Sequence, residues 1–209
     1  MNIYNGFLKK EKKFAILVDP DKNSSEDTVK IAKMAEAANV DFIFVGGSLL
    51  TNDNFESTIK LLKQNCSLPV VIFPGNNMQI SNSADAILLL SLISGRNAEM
   101  LIGKHMIAAP VLKKSSLEII PTGYMLIESG KFTTALYMSN STPIPSDKED
   151  IAVCTAIAGE MLGLKFIFMD AGSGAINPVP LPMISKVKQN ISIPLIIGGG
   201  IRTPEKAVE

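Results

Sequence analysis

The sequence predicts a β/α barrel, in which parallel strands alternate with helices along all 209 residues. Short, continuous apolar runs recur at regular intervals, and such runs are typical of strands that are buried on both faces of a parallel sheet. Segments with helical periodicity separate them. Polar or glycine-rich residues follow most of the apolar runs, whereas an open doubly wound sheet concentrates its functional loops at one switch point. We therefore predict a TIM-type (β/α)8 barrel.

Seven apolar runs are predicted as strands, and the strict alternation with helices implies parallel pairing through right-handed crossovers. They are residues 15–18, 42–45, 69–73, 86–90, 123–127, 166–169 and 195–197. Residues 131–137, which follow the fifth run, are predicted to form a small hairpin partner.

Helices are predicted between the strands. Ser24 or Ser25 caps the first of them, and later helices cover residues 54–64, begin near Asn97, and cover 150–162 and 181–188. Residues 203–205 (Thr-Pro-Glu) have the cap, proline and acid of a helix start, so the seventh helix begins as the sequence ends. We expect a single barrel domain over residues 1–209, C-terminally incomplete because the eighth β/α unit is missing.

Composition excludes several functional classes. Hydrophobic residues make up 46% of the chain, which indicates a globular protein, and 20 basic residues balance 20 acidic ones. A nucleic-acid-binding protein usually has a basic excess, so small molecules are the expected partners. Cys66 and Cys154 have no metal-ligand spacing and indicate a reducing compartment. No signal peptide or membrane-spanning run of about 18 apolar residues is found, which predicts a cytoplasmic protein and is compatible with peripheral membrane contact.

Two glycine-rich loops suggest a phosphate site. Residues 170–174 (Asp-Ala-Gly-Ser-Gly) follow the sixth predicted strand, and Gly198–Gly200 follow the seventh. Backbone N–H groups of glycines approach an oxyanion closely because no Cβ intervenes. Asp170 would then accept a hydrogen bond from a substrate hydroxyl or act as its general base. The alternative is a flexible strand-to-helix loop, but two such loops after neighbouring strands favour phosphate.

Asp19 and Ser48 lie just past the first and second predicted strands, where two oxygen ligands can reach one Mg²⁺ together with ligand phosphates. The alternative is that residues 19–21 (Asp-Pro-Asp) form only a turn and helix cap. Lys22 either faces a diphosphate or is simply solvated, and the sequence does not separate these interpretations.

These residues together resemble the geranylgeranylglyceryl phosphate synthase family, including its heptaprenylglyceryl phosphate synthase branch. The similarity runs in order through residues 19–22, 45–48, 73–75, 84–86, 123–124, 171–175 and 198–202. The resemblance implies a Mg²⁺-dependent β/α barrel that joins a long-chain prenyl diphosphate to the 3-hydroxyl of sn-glycerol 1-phosphate, giving an ether lipid precursor.

The resemblance also implies roles for individual residues. Asp19 and Ser48 match the metal positions, and Lys22 would face the diphosphate. The glycerol phosphate positions are matched by Phe168, Met169, Asp170, Ala171, Gly172, Ser173 and Gly174, with Gly198, Gly199 and Gly200 as a second phosphate segment. The family often has Tyr and Glu where this chain has Phe168 and Asp170, and the family's last phosphate loop, after strand eight, is not in this sequence.

The geranylgeranyl (C20) donor is expected, with the C35 heptaprenyl donor as the competing choice, and we expect a homo-oligomer. Three other functions stay open at this point. They are a different phosphate-handling barrel such as a sugar-phosphate isomerase or aldolase, a non-catalytic phosphate-binding relative, and a structural or assembly role.

Overall fold

The computed structural model describes residues 2–9 and 11–208, and strands alternate with helices through most of them. Seven strands are found in these residues, each at a place that the sequence predicts. They are β1 (Ala15–Val18), β2 (Phe42–Val45), β3 (Val70–Ile72), β4 (Ala86–Leu92), β5 (Glu118–Leu126), β6 (Phe166–Asp170) and β7 (Leu195–Gly198).

The helices lie between these strands and at both ends of the described chain. They are α1 (Ile3–Phe7), α2 (Ser25–Ala37), α3 (Phe55–Asn65), a π-helical turn (Glu99–Gly103) that leads into α4 (Lys104–Lys114), α5 (Thr134–Ser139), α6 (Glu149–Met161), α7 (Leu181–Asn190) and α8 (Pro204–Val208). The Ser24 hydroxyl accepts from the backbone N–H of Asp27 and caps α2, as predicted. Helix α8 begins at the predicted proline.

The predicted hairpin at residues 131–137 is wrong. The Thr133 hydroxyl accepts a hydrogen bond from the backbone N–H of Leu136, which caps a helix, α5, where a strand was expected. Asn140 then ends α5 in the left-handed conformation, with φ of 47°. Ala135, Leu136 and Tyr137 of the predicted hairpin belong to this short helix, and Phe132 precedes its cap.

The chain divides into two compact units. The first contains Met1–Leu89 and Lys104–Ile120, and strands β1 to β4 follow chain order in it as parallel neighbours. Its core lies between this sheet and the helices α2, α3 and α4, with Ile43, Ile59 and Leu62 fully buried. The carboxyl ends of β1 and β2 are aligned because Val18 pairs with Val45.

The second unit contains Leu90–Gly103 and Pro121–Glu209. Strands β5, β6 and β7 are parallel neighbours in it, and Asp170 at the end of β6 pairs with both Leu126 and Gly198. Its core contains Met125, Met169 and Met183, which are fully buried. Loops from β6 and β7 therefore leave the sheet side by side. The expectation of a single domain over residues 1–209 stays a prediction.

We find no helix among residues 2–9 and 11–208 that is both long and apolar enough to cross a membrane.

Candidate active site

Asp170 is the central polar side chain of the second unit. It closes strand β6, and the Tyr124 hydroxyl of neighbouring β5 donates a hydrogen bond to its Oδ2. The backbone N–H of Gly172 donates to Oδ1 over 2.7 Å. A carboxylate oxygen has two lone pairs, so each oxygen retains a further accepting position for a substrate hydroxyl. The carboxylate is thus fixed in place without being saturated.

Burial governs the protonation of this pair. Asp170 is 7% exposed, and desolvation raises the pKa of its carboxyl above the usual value, while the hydrogen bonds from Tyr124 and Gly172 oppose that rise. Burial, followed by the charge of Asp170, raises the pKa of the Tyr124 phenol well above its usual value. Tyr124 therefore remains a donor, and Asp170 is a carboxyl whose pKa is shifted toward that of a useful general base.

Residues 171–175, here called the β6 loop, have the geometry of an anion-binding turn. Gly172 and Gly174 have φ of +89° and +74°, in the left-handed region that favours glycine. Ser173 and Gly174 are exposed, and their backbone N–H groups have no acceptor within residues 2–9 and 11–208. The loop closes through a hydrogen bond from Ala175 N–H to the Gly172 carbonyl. Two N–H groups and one hydroxyl are thus available to an oxyanion.

Residues 198–200, here called the β7 loop, lie directly beside the β6 loop. Ala171 N–H donates to the Gly198 carbonyl over 3.0 Å. Gly199 has φ of +78°, and a Cβ there would lie 2.6 Å from the backbone nitrogen of Gly172 and 2.7 Å from Asp170 Oδ1. Gly200 also has a left-handed φ, of +72°. The close approach of the two loops therefore requires glycine at position 199.

The other predicted glycerol phosphate positions are buried in the same unit. Met169, within β6, is fully buried in the core, and Ala171, the first residue of the β6 loop, is 2% exposed, so neither side chain is accessible to a ligand. The Phe168 ring packs edge-on against Tyr124 with ring centroids 5.7 Å apart. A Cβ on Gly198 would lie 2.7 Å from that ring, which explains the glycine at the end of β7.

Tyr124 is the site residue whose role the sequence did not establish. Phe168 lacks the phenol that the resembled family often has at this position, but Tyr124, its partner in the register of β5 with β6, donates a phenol hydrogen bond to Asp170. The pairing register of β5 with β6 is the feature from which the role of Tyr124 could have been inferred. Residues 124 and 168 pair directly, so a tyrosine on β5 reaches the residue two positions further along β6.

In the first unit, Asp19 and Lys22 form an ion pair. Lys22 Nζ lies 3.0 Å from Asp19 Oδ2, and Asp19 Oδ1 accepts from the backbone N–H of Asp21 over 3.1 Å. Asp21 itself accepts hydrogen bonds from Thr51 and Asn52, so its carboxylate holds the loop after β1 against the loop after β2. Asp19 is therefore the carboxylate of this loop that already pairs with a cation, the Lys22 ammonium.

Gly47, the residue before Ser48 in the loop after β2, lies against the Asp19 carboxylate. A Cβ on Gly47 would be 3.2 Å from Asp19 Oδ1, so this carboxylate oxygen lies against the residue that precedes Ser48.

The sequence did not identify Gln79, which is buried and positions the loop after β2. Its amide nitrogen donates to the Gly47 carbonyl over 2.9 Å, and its oxygen accepts from Gly75 N–H over 3.0 Å.

These residues suit Mg²⁺ in their donor chemistry. Asp19 and Ser48 supply hard oxygen ligands, and Mg²⁺ commonly takes one or two carboxylates and completes its shell with water and substrate phosphates. Within the described part of the chain, no three His, Cys, Asp or Glu side chains gather as a potential metal cluster. A metal ion at Asp19 would compete with Lys22 for Oδ2.

This chain is similar in sequence and in structure to known geranylgeranylglyceryl phosphate synthases. The geranylgeranylglyceryl phosphate synthase of Chitinophaga pinensis is 54% identical over 209 residues, covering 98% of this chain and 83% of the relative. The solved structure of wild-type GGGPS (geranylgeranylglyceryl phosphate synthase) from Thermoplasma volcanium is 39% identical in sequence, with a TM-score of 0.93. The match covers 99% of this chain and 84% of the Thermoplasma volcanium chain.

A second solved structure is the (S)-3-O-geranylgeranylglyceryl phosphate synthase of Thermoplasma acidophilum in complex with its substrate sn-glycerol-1-phosphate. It is 34% identical with a TM-score of 0.94, and the match covers 99% of this chain and 85% of that chain. These likenesses confirm the predicted β/α-barrel fold class. A sequence model of the PcrB family matches residues 7–209, and this chain therefore belongs to the PcrB family.

Proposed function

We propose that this protein is a prenyltransferase that joins geranylgeranyl diphosphate to the 3-hydroxyl of sn-glycerol 1-phosphate, forming an ether bond and releasing diphosphate, in ether phospholipid biosynthesis. The observation that carries this function is the 54% identity over nearly the whole chain to a geranylgeranylglyceryl phosphate synthase. The structural match to a related enzyme in complex with sn-glycerol-1-phosphate supports the same acceptor.

The second unit binds the acceptor in this proposal. The backbone N–H groups of the exposed residues Ser173 and Gly174, with the Ser173 hydroxyl, hold the phosphate, and the β7 loop adds the backbone of Gly199 and Gly200. Phosphate suits these groups because left-handed glycines direct successive N–H donors toward one anion. The glycerol hydroxyls then extend toward Asp170.

Asp170 is the proposed general base. The ether oxygen is the oxygen of the glycerol 3-hydroxyl, which loses its proton as it bonds to the allylic carbon of the donor. Oδ1 or Oδ2 of Asp170 accepts that proton, while Tyr124 and Gly172 keep the carboxylate in place. The carbon–oxygen bond to diphosphate breaks, and diphosphate leaves with the bonding electrons.

The first unit provides the proposed donor-binding groups. Asp19 and Ser48 would hold Mg²⁺, and Lys22 would exchange its ion pair with Asp19 for contact with the diphosphate. Mg²⁺, when bound, neutralises the charge of the leaving diphosphate. Lys22 adds a mobile cation on a flexible side chain, which is 65% exposed.

Two further properties are part of the proposal. Cys66 and Cys154 are both free, which supports a reducing, cytoplasmic compartment. A homo-oligomer is proposed as well, and light scattering with and without substrates would measure it.

The test is a radiolabelled transfer assay with sn-glycerol 1-phosphate and Mg²⁺, offering the C20 and C35 prenyl diphosphates separately. We expect an ether product with the C20 donor in larger yield, and sn-glycerol 3-phosphate as acceptor serves as the stereochemical control. A preference for the C35 donor would show that the prenyl donor is heptaprenyl diphosphate and that the type of reaction is as proposed. Binding of glycerol phosphate without product from either donor would support a non-catalytic relative and contradict the proposal.

A further inference from the structure

The loop that follows β5 brings a lysine to the β6 loop. A Cβ built on Gly174 would lie 3.8 Å from Lys131 Nζ, which places the ammonium group directly beside the exposed part of the anion-binding turn. Lys131 also lines a cavity of about 890 Å³, together with Gly130, Phe132 and Tyr137. The ammonium is therefore beside Gly174 of the β6 loop and borders a volume open to a ligand.

This arrangement is held by contacts on both sides of the lysine. Asn177 N–H donates to the Ser129 carbonyl over 3.0 Å, which fixes the start of the loop to the chain just after the β6 loop. A Cβ on Gly172 would lie 2.8 Å from the Thr133 hydroxyl, so the end of the loop packs against the glycine turn itself. Lys131 is thus carried by a segment anchored before and after it.

Lys131 forms no ion pair with a carboxylate in the described part of the chain. In residues 2–9 and 11–208, no carboxylate lies within 4.0 Å of its Nζ. The acid of the same loop, Glu128, accepts instead from the backbone N–H of Ser146. An ammonium beside unpaired N–H donors is an environment that favours a dianion over a neutral ligand.

We propose that Lys131 is a substrate-binding residue that contacts the phosphate of the acceptor and so selects a phosphorylated glycerol. This inference rests on the proposed function, since it names sn-glycerol 1-phosphate as the dianion that the β6 loop holds. The backbone donors of the loop give direction, and the lysine supplies the full positive charge that those donors lack.

The test compares Lys131→Met and Lys131→Arg with Lys165→Met. Lys165 is an exposed lysine just before β6, at the opposite end of the strand from the β6 loop, so its substitution removes the same charge elsewhere in the same unit. Calorimetric titration with sn-glycerol 1-phosphate should show affinity about tenfold weaker for Lys131→Met and close to wild type for the other two variants. Thermal unfolding of all variants verifies that each one folds.

Kinetics separate binding from chemistry. For Lys131→Met, we expect the KM for glycerol phosphate to rise while kcat and the KM for the prenyl diphosphate stay within about twofold. Unchanged glycerol phosphate affinity in Lys131→Met would overturn the inference, and so would an equal loss in Lys165→Met or a Lys131→Arg variant as weak as Lys131→Met. Failure of the proposed function is distinct, because it would appear as no ether product from the wild-type protein.

Discussion

At the scale of single residues, the proposed chemistry depends on a buried carboxyl that accepts hydrogen bonds from two donors and can accept a third. Asp170 combines a raised pKa with fixed geometry, because desolvation and the hydrogen bonds from Tyr124 and Gly172 act on the same group. A general base needs both properties, since it must be correctly placed and must hold a proton once it has taken one.

Asp170→Asn should therefore lower turnover by about 10² to 10⁴-fold, the usual range for a positioned general base. The affinity for sn-glycerol 1-phosphate should change by less than about threefold, because the phosphate contacts come from other residues. Single-turnover kinetics and calorimetric binding measure the two quantities separately. Equal losses of binding and turnover would show that Asp170 positions the ligand and does not accept the proton.

Tyr124→Phe should move the acidic limb of the pH–rate profile to higher pH. The Tyr124 hydrogen bond lowers the pKa of Asp170, so its removal raises that pKa further, and the base becomes ionised only at higher pH. The shift should be about one pH unit, since a hydrogen bond to a charged group contributes roughly that much. Tyr4→Phe is the matched control because it also removes a phenol but lies in α1 of the first unit, whereas Asp170 belongs to the second. If the acidic limb of Tyr124→Phe stayed in place or moved to lower pH, the Tyr124 hydrogen bond would not be what lowers the pKa of the catalytic group.

Asp170 and Tyr124 differ in how far their roles could be predicted from sequence. Asp170 follows a buried apolar run and precedes a glycine turn, so its position at the end of a strand is visible in the local pattern. The Tyr124 contact depends on the register between two strands that are far apart in the chain, and register is a tertiary property. Lys131 and Gln79 are likewise placed by loop packing that no short pattern encodes.

At the scale of elements, the site depends on two loops that approach more closely than side chains permit. Gly199 is the clearest case, because its left-handed φ and the absence of a Cβ are both required. The β6 loop could not keep its present contact with the β7 loop if either condition failed.

Gly199→Ala should weaken glycerol phosphate binding severely and destabilise the fold by more than the roughly 1 kcal/mol expected from a left-handed alanine alone. Gly163→Ala isolates that backbone contribution, since Gly163 has φ of +85° and a Cβ there would meet nothing within 4 Å. Urea unfolding and calorimetric titration of both variants give the comparison. If Gly163→Ala lowered stability and glycerol phosphate affinity as much as Gly199→Ala does, the contact between the β6 and β7 loops would not be the cause of the Gly199→Ala losses.

The elements themselves were predicted with unequal success for a physical reason. Strands β2, β3 and β6 are nearly unbroken apolar runs that are buried at every position, and burial on both faces leaves a strong local pattern. Helix α5 was predicted as a strand because its six residues are too few for a helical period to be seen. Helix α1 was not predicted, and its first backbone N–H groups are held by the distant carboxylate of Glu118.

At the scale of the whole molecule, the predicted site residues fall into two groups that belong to different compact units. Asp19, Lys22 and Ser48 lie in the first unit, and Asp170 with the β6 and β7 loops lies in the second. In the sequence each of these residues follows a predicted strand, and that pattern is how the sequence analysis identified them as candidates. The division gives each unit one proposed substrate, and the two requirements for turnover should be separable by mutation.

Asp19→Asn should raise the Mg²⁺ concentration needed for half-maximal turnover by about tenfold or more, because the loss of a carboxylate ligand weakens a sparse magnesium site. The affinity for sn-glycerol 1-phosphate, measured without prenyl donor, should stay at the wild-type value, since the β6 and β7 loops are unchanged. Turnover titrated with Mg²⁺ after removal of metal by a chelator gives the first quantity, and calorimetry gives the second.

Asp53→Asn is the charge-matched control for that variant, because Asp53 is an exposed carboxylate of the same unit just before α3. Its Mg²⁺ requirement should match wild type, which separates a ligand at Asp19 from a general effect of lost negative charge. An Asp19→Asn protein with a wild-type Mg²⁺ requirement would remove Asp19 from the metal site. The ion pair with Lys22 would then be a structural contact of the loop after β1 and nothing more.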